Sequence, residues 1–348
     1  MTLERLDANP LLSPADVCPT RDGLSVLCTL NPASVRFGDE TLLLVRVGEQ
    51  APQPDGFVAA LYYDAQADDL SVRHIPLDDP ELDATDPRKY HYKGRTLLTS
   101  MSHLRLARST DGLHFAFEDT PAIFPKTPYE AYGCEDARIT LIDGTYYIAY
   151  TAVSPMGVAV AMASTEDFRT YRRCGLIFAP YQKDVCIFPE EVSGRYVCRH
   201  RPYKSEFNDA CIWTAWSPDL FSWGRHEMTV APRPGTWEAG RVGSGAPPIK
   251  TPEGWLEIYH AADDEGRYHL GAMLSDLDQP QKVIARSTSP VFEPQADYEL
   301  EGVYGNCVFS NGLVVGDDGK LTVYYGAADR ICAAAVTTID EMIAAAKS

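Results

Sequence analysis

Two short signals recur along the chain, and their spacing constrains the fold more than any other feature. A turn glycine followed by a β-rich run stands at Gly38 (GDETLLLV), Gly144 (GTYYIAYT), Gly194 (GRYVCRHR), Gly254 (GWLEIYHA) and Gly319 (GKLTVYYG). A Ser-x-Asp-like turn, with an aromatic residue soon after it, stands at Ser109 (STDGLHF), Ser164 (STEDFRTY) and Ser217 (SPDLFSW), with a weaker form at Ser275 (SDLDQP). Successive turns of this second kind lie 55, 53 and 58 residues apart. A steady period of this length is the mark of a repeat architecture, in which each unit buries its apolar face against its neighbours. One period holds about four short strands, the size of a propeller blade. The expectation is an all-β chain, a five-bladed β-propeller forming a single catalytic domain over 1–348. The stretch between Gly38 and Gly144 is too long for one blade, so about 49–98 is expected to be an insertion or long loop. An array of β-sandwiches is the alternative that the same strands permit.

Helix signals are sparse. The exception is Thr338 to Ser348, acidic early and ending near a lysine, which predicts a short C-terminal helix. Elsewhere Tyr, Val, Ile and Trp form short runs punctuated by 25 Gly and 25 Pro, the pattern of many short strands. A formal net charge of −18 argues against nonspecific nucleic-acid binding, which requires cations facing phosphates. The nine Cys include no C-x-x-C pair, so they read as reduced, buried residues. No basic-then-apolar leader and no run of about 20 apolar residues is present. Together these features predict a cytoplasmic protein with no membrane partner.

A propeller collects polar residues from every repeat into one axial funnel. In YEAYGCEDARI, Glu135, Asp136 and Arg138 precede a strand. Adjacent carboxylates on an extended chain point to opposite faces, so one of them can reach the funnel while the other is held in the blade. An ion pair at a blade edge is the plainer reading. Cations stand at strand ends and glycine turns: Lys183, His200, Arg201, Arg241 and His260. Converging, they form an anion site, and Arg offers a forked match to phosphate; singly, each reads as a solvated strand end. GRVGSG lacks the order of a dinucleotide fingerprint, and no metal-ligand spacing stands out.

In order along the chain, NPLLSP, LNPAS (30–34), LLLVR ending at Arg46, LARSTDGLHF (106–115), GCEDARI (133–139), KDVCIFPE (183–190), HRP (200–202), RVGSGAPPI (241–249), GWLEIYH (254–260) and YYGAAD (324–329) resemble glycoside hydrolase family 130, the β-mannoside phosphorylases and related β-mannosidases. The resemblance implies a five-bladed propeller and an inverting reaction at a β-mannosidic bond. It places the general acid on Asp136. It places phosphate on Lys183, Arg201, Arg241 and His260, and the cleaved mannose on Asn31, Arg46, Arg138 and Asp329. Ala137 replaces a frequent Pro. His103 and Arg105 stand where Arg and Gly are frequent, which bears on the acceptor sugar and puts His103 among the expected substrate-binding positions.

The reaction so implied is phosphorolysis of a β-linked manno-oligosaccharide to α-mannose 1-phosphate and a shortened acceptor. Inorganic phosphate is the co-substrate, and no metal or organic cofactor is implied. An inverting hydrolase would need a base to activate water; Glu190 and Glu191 are the candidates for that alternative. A noncatalytic glycan-binding propeller is a second alternative. The C-terminal helix and the 49–98 segment offer surfaces for a homo-oligomer.

Overall fold

The computed structural model describes residues 3–348. The chain is built of short antiparallel meanders and ends in the expected helix, Ile339–Ala346. Ser25–Phe37, Glu40–Gln50 and Met101–Ser109 form the first meander, with the two-residue strand Ala116–Phe117 at its edge. Gly133–Ile142, Thr145–Ser154, Gly157–Thr165 and Arg172–Phe178 form the second. These two are joined into one sheet by a single parallel pair, Gly133 with Ser102. Gln182–Ile187, Tyr196–Pro202, Ile212–Ser217 and Gly224–Val230 form a separate sheet. A fourth group contains Arg241–Ser244, Gly254–Ala262, Tyr268–Ser275 and Val283–Arg286, with Ile249–Thr251 pairing Gly254–Ala262. The last contains Val308–Val315, Lys320–Ala327 and Ile331–Thr338, completed by the N-terminal strand Glu4–Arg5. Glu4 pairs with Val336 and Arg5 with Ala335, so the two ends of the chain share one sheet.

Both recurring signals have a local physical cause. Asp143–Gly144 and Ser193–Gly194 have positive φ at both positions, +48° and +82° in the first and +52° and +71° in the second. That is the hairpin geometry whose twist matches the strands it joins. In the second signal an aspartate caps its own turn. Asp111 Oδ1 accepts from the main-chain N–H of Leu113 and His114, both at 2.8 Å. Asp167 does the same for Arg169 and Thr170, and Asp219 for Phe221 and Ser222. The weaker form obeys the rule too, Asp276 accepting from Asp278 and Gln279. The hydroxyl partner in the second of these turns is Thr165, one residue beyond Ser164. These main-chain hydrogen bonds hold the Asp167 carboxyl down to about 2, as they do that of Asp219.

Glu40–Gln50 and Met101–Ser109 are directly paired, from Thr41 with Ser109 to Glu49 with Met101. Between them the chain makes a detour. It forms the hairpin Phe57–Asp64 and Asp69–Pro76, then a small sheet of Leu82–Asp83, Lys89–Tyr92 and Arg95–Leu98. Val58, Ala60, Ile75, Tyr90 and Leu97 of the detour pack on Ala131, Tyr132 and Val153 of the second meander. The C-terminal helix starts at a reciprocal cap. Glu341 N–H donates to Thr338 Oγ1, and Thr338 N–H donates to Glu341 Oε2. Its buried face, Met342, Ile343 and Ala346, joins the core beneath the last two meanders. Among the described residues no helix is long and apolar enough to cross a membrane.

Candidate active site

Four strands break their pairing at corresponding places, and each break presents an amide or a carboxylate. Pairing with the next strand jumps from Leu30–Arg46 to Ala33–Leu44, leaving Asn31 and Pro32 bulged. It jumps from Glu135–Thr151 to Arg138–Ala149, leaving Asp136 and Ala137. It jumps from Lys183–Arg201 to Cys186–Arg199, leaving Asp184 and Val185. In Val308–Val315 the extra residue is Asn311. Asn31, Asp136 and Asp184 have φ of +48°, +48° and +55°. Asn and Asp tolerate this left-handed region better than other non-glycine residues. A bulge re-aims a side chain out of the regular alternation, which suits strands that must deliver a polar group to a site.

A cavity of about 390 Å³ opens over the Asn31 and Asp136 bulges. Asn31, Arg46, Asp136, Lys183, Arg241 and Asp329 lie on its wall, so the fold unites six expected positions from distant parts of the chain. Asp136 Oδ1 accepts from Asn31 Nδ2 at 3.0 Å and from Arg46 Nη1 at 3.2 Å. Lys183 Nζ is 3.8 Å from Oδ2. Arg46 also donates to Glu135 Oε1 at 2.9 Å and to Ser102 Oγ at 2.9 Å. Arg241 is exposed at the mouth, where Nη1 donates to the Tyr268 hydroxyl at 3.0 Å. A second cavity, of about 360 Å³, lies between the detour and Pro155–Met156. Its wall is mainly apolar, with Tyr62 and Tyr132 prominent. The cluster of Glu135, Asp136 and Asp329 with Arg46, Lys183 and Arg241 belongs to the first cavity.

The acidic groups of the cavity differ in their protonation. Burial pushes the Asp136 carboxyl up, but Arg46, Lys183 and the Asn31 hydrogen bond outweigh burial and leave it below its ordinary value. Burial raises Glu135, with Arg46 opposing and Asp136 adding to the rise. Burial also lifts Asp329, against Arg46 and with the help of Asp136, to about 6. The site therefore combines one firmly ionised carboxylate with acidic neighbours that hold protons more readily.

Four expected positions lie elsewhere than on the cavity wall. Arg138 is enclosed: Nη1 donates to the Asp136 carbonyl at 2.9 Å and Nη2 to the Ser244 carbonyl at 2.8 Å. It clamps the bulge instead of facing a sugar. Arg201 lies behind the wall, with Nε donating to Asp184 Oδ2 at 2.6 Å. His260 is fully buried, Nε2 3.3 Å from the same oxygen and its ring centroid 4.1 Å from that of Phe309. Burial drives its imidazole down to about 4 despite Asp184, so at neutral pH it is a neutral ring and not the expected cation. His103 is the clearest correction. It is fully buried, with Nε2 3.4 Å from Glu49, while its neighbour Ser102 supports Arg46 on the cavity side. Successive residues of a strand face opposite ways, and the register gives the cavity face to Ser102.

The cavity also takes residues beyond the expected set. The detour contributes Arg88 and Lys89, and later strands and loops contribute Tyr203, Tyr268 and Tyr304. Arg88 lies 4.6 Å above the Tyr304 ring. Asp184 carried a readable signal. Lys183-Asp184-Val185-Cys186-Ile187 repeats the pattern Glu135-Asp136-Ala137-Arg138-Ile139, with the bulged aspartate in the same place. The detour residues carry no such mark.

The family model of glycoside hydrolase family 130, described as beta-1,4-mannooligosaccharide phosphorylase, matches residues 88–348. A beta-1,2-mannobiose phosphorylase of Listeria innocua is 42% identical over 348 residues, 99% of this chain and 98% of that protein. A 1,2-beta-oligomannan phosphorylase of a Thermoanaerobacter species is 37% identical over 310 residues, 88% of this chain and 98% of that one. A solved structure of the Listeria innocua beta-1,2-mannobiose phosphorylase, in complex with beta-1,2-mannobiose, superposes with a TM-score of 0.96 over 99% of both chains at 41% identity. With the family model matching from the detour to the C-terminus and similarity running the full length of the chain, this protein is a member of glycoside hydrolase family 130.

Proposed function

We propose that the chain cleaves β-mannosides with inorganic phosphate, inverting the anomeric centre to release α-mannose 1-phosphate and a shortened acceptor. In this reading the meanders are the five blades of a propeller, and the bulged strands line its axis. The observation that carries the proposal is the junction of Asp136 with cations in one cavity. Lys183 stands 3.8 Å from the carboxylate, and Arg241 lines the same wall.

An inverting hydrolase requires an acid on one face of the sugar and a base for water on the other. Phosphate dianion is itself a nucleophile, so a phosphorylase replaces that base with cations that hold the anion in line. Glu190 and Glu191, the candidates for the hydrolytic base, are exposed and absent from the cavity wall, and Glu190 is 2.9 Å from Lys250. The phosphorolytic reading uses the groups that are present. Asn31 and Arg46 orient Asp136 toward the glycosidic oxygen. Before phosphate arrives, Arg46 and Lys183 keep Asp136 ionised. A dianion placed against Lys183 offsets that field and raises the carboxyl toward the protonated form needed to assist the leaving group. Lys183 and Arg241 hold the phosphate, with Arg201 behind them.

The direct test incubates the protein with β-1,2- and β-1,4-linked mannobiose, with and without phosphate, and follows products by phosphorus NMR and chromatography. Phosphate-dependent α-mannose 1-phosphate is the expected product. Free mannose at the same rate without phosphate would make the enzyme a hydrolase. Arg241→Ala should raise the KM for phosphate about 10- to 100-fold, the range for losing a hydrogen bond to a charged group, and should change the KM for mannobiose far less. Equal changes in both constants contradict the assignment of Arg241.

A further inference from the structure

Asp184 is completely enclosed, and three side chains converge on its carboxylate. Arg201 Nε donates to Oδ2 at 2.6 Å, His260 Nε2 lies 3.3 Å from the same oxygen, and Arg138 Nη2 donates to Oδ1 at 3.3 Å. The Ser244 hydroxyl donates to the Asp184 carbonyl. These partners come from Tyr196–Pro202, Gly254–Ala262, Gly133–Ile142 and Arg241–Ser244, so one carboxylate ties together strands from three sheets. The space around it is closed. A Cβ on Gly243 would run into His260 Nε2 and lie 2.6 Å from Asp184 Oδ2. Burial raises the Asp184 carboxyl, but the guanidinium groups of Arg201 and Arg138 overcome burial and hold it well below its ordinary value.

The next residue toward the N-terminus, Lys183, is on the cavity wall beside Asp136. The strand thus offers a cation to the cavity and an anion to the layer behind it. Arg201 spends only Nε on Asp184, and among the described residues its terminal nitrogens make no hydrogen bond to protein. Arg201 is the cross-strand partner of Lys183, whose side chain lines the cavity, and residues directly opposite in a sheet project to the same face. A guanidinium anchored through Nε keeps its terminal pair free for a bidentate oxoanion.

We propose that Asp184 is a positioning residue for the phosphate co-substrate: it anchors Arg201 through Nε, so that the terminal nitrogens are held toward the anion beside Lys183, and it locks that arrangement to the Asp136 bulge through Arg138. Asp184 touches neither substrate. The inference rests on the phosphorolytic reading and goes beyond it by assigning the group that aligns the anion site.

The test compares wild-type protein with Asp184→Asn, varying phosphate and β-1,2-mannobiose independently. The amide keeps the shape of the carboxylate and removes its charge. The KM for phosphate should rise about tenfold or more, as for loss of a charge-assisted contact, while the KM for mannobiose stays within about threefold. Phosphate should also lose most of its protective shift of the melting temperature, which a merely structural role would leave in place. An unchanged phosphate KM, or a proportional rise in both constants, overturns the proposal. If the amide variant does not fold, Gly243→Ala takes its place, because its new methyl presses on the His260 ring and on Asp184 Oδ2 and disturbs the same cluster without removing charge. The same split between the two constants is then expected, and its absence counts against Asp184. Wild-type turnover that ignores phosphate defeats the phosphorolytic reading itself, whereas phosphate-dependent wild-type turnover with an unaltered variant defeats only the role of Asp184.

Discussion

Asp136→Asn should lower kcat/KM for a natural β-mannoside by about 10²- to 10⁴-fold, the usual contribution of a positioned general acid. The amide occupies nearly the same volume, and its oxygen still accepts from Asn31 and Arg46, so the folded structure should persist. What disappears is the proton for the glycosidic oxygen. The loss must therefore depend on the leaving group. An aryl β-mannoside with an acidic phenol departs as its anion and needs little protonation, so the variant should recover most of its deficit on that substrate. Circular dichroism and thermal melting establish that the variant is folded, and phosphorolysis rates on the two substrates separate the acid role from a binding role. An identical loss on both substrates would assign Asp136 to binding. Full activity on the natural one would remove it from the mechanism.

Different parts of the molecule were legible in the sequence to different degrees, for physical reasons. The turns were readable because their causes are local: Asp111, Asp167 and Asp219 cap main-chain groups two and three residues ahead. Asn31, Arg46, Asp136, Lys183, Arg241 and Asp329, singled out through the family resemblance, all line one cavity. The failures are matters of register and layer. His103 and Ser102 differ by one residue, and only the pairing of Val47 with His103 decides which of them faces the site. Arg138, Arg201 and His260 sit one layer behind the wall because Asp184 holds them there, and that depends on how separate sheets pack. Arg88 and Lys89 arrive through the detour, whose path over the cavity is set by tertiary contacts and not by any repeat.

A single strand illustrates how closely function and stability are interleaved, and it yields the largest expected stability effect. Arg199 and Arg201 are two residues apart on Tyr196–Pro202, but Arg201 binds Asp184 behind the cavity wall while Arg199 holds two sheets together. Arg199 Nε donates to Glu257 Oε2 at 2.9 Å and Nη2 to Oε1 at 2.5 Å. It also donates to Ser275 Oγ at 3.0 Å, to the Pro280 carbonyl at 2.9 Å, and to Thr214. Neither member of the pair is more than 4% exposed. Glu257→Gln leaves the guanidinium buried without its counter-charge, and breaking a buried pair in this way costs about 3–5 kcal/mol. The expected result is a lower denaturation midpoint with an unchanged denaturant slope, the signature of lost stability rather than an altered unfolded state. Replacing both partners with Met removes both desolvation penalties and should restore much of the loss. Because Glu257 does not line the cavity, the variant that remains folded should keep its KM for phosphate. A Glu257→Gln midpoint equal to wild type would mean that the other acceptors around Arg199 suffice. A change in phosphate KM at constant fold would mean that the two arginines of this strand are coupled, and that the sheet contact reaches the anion site.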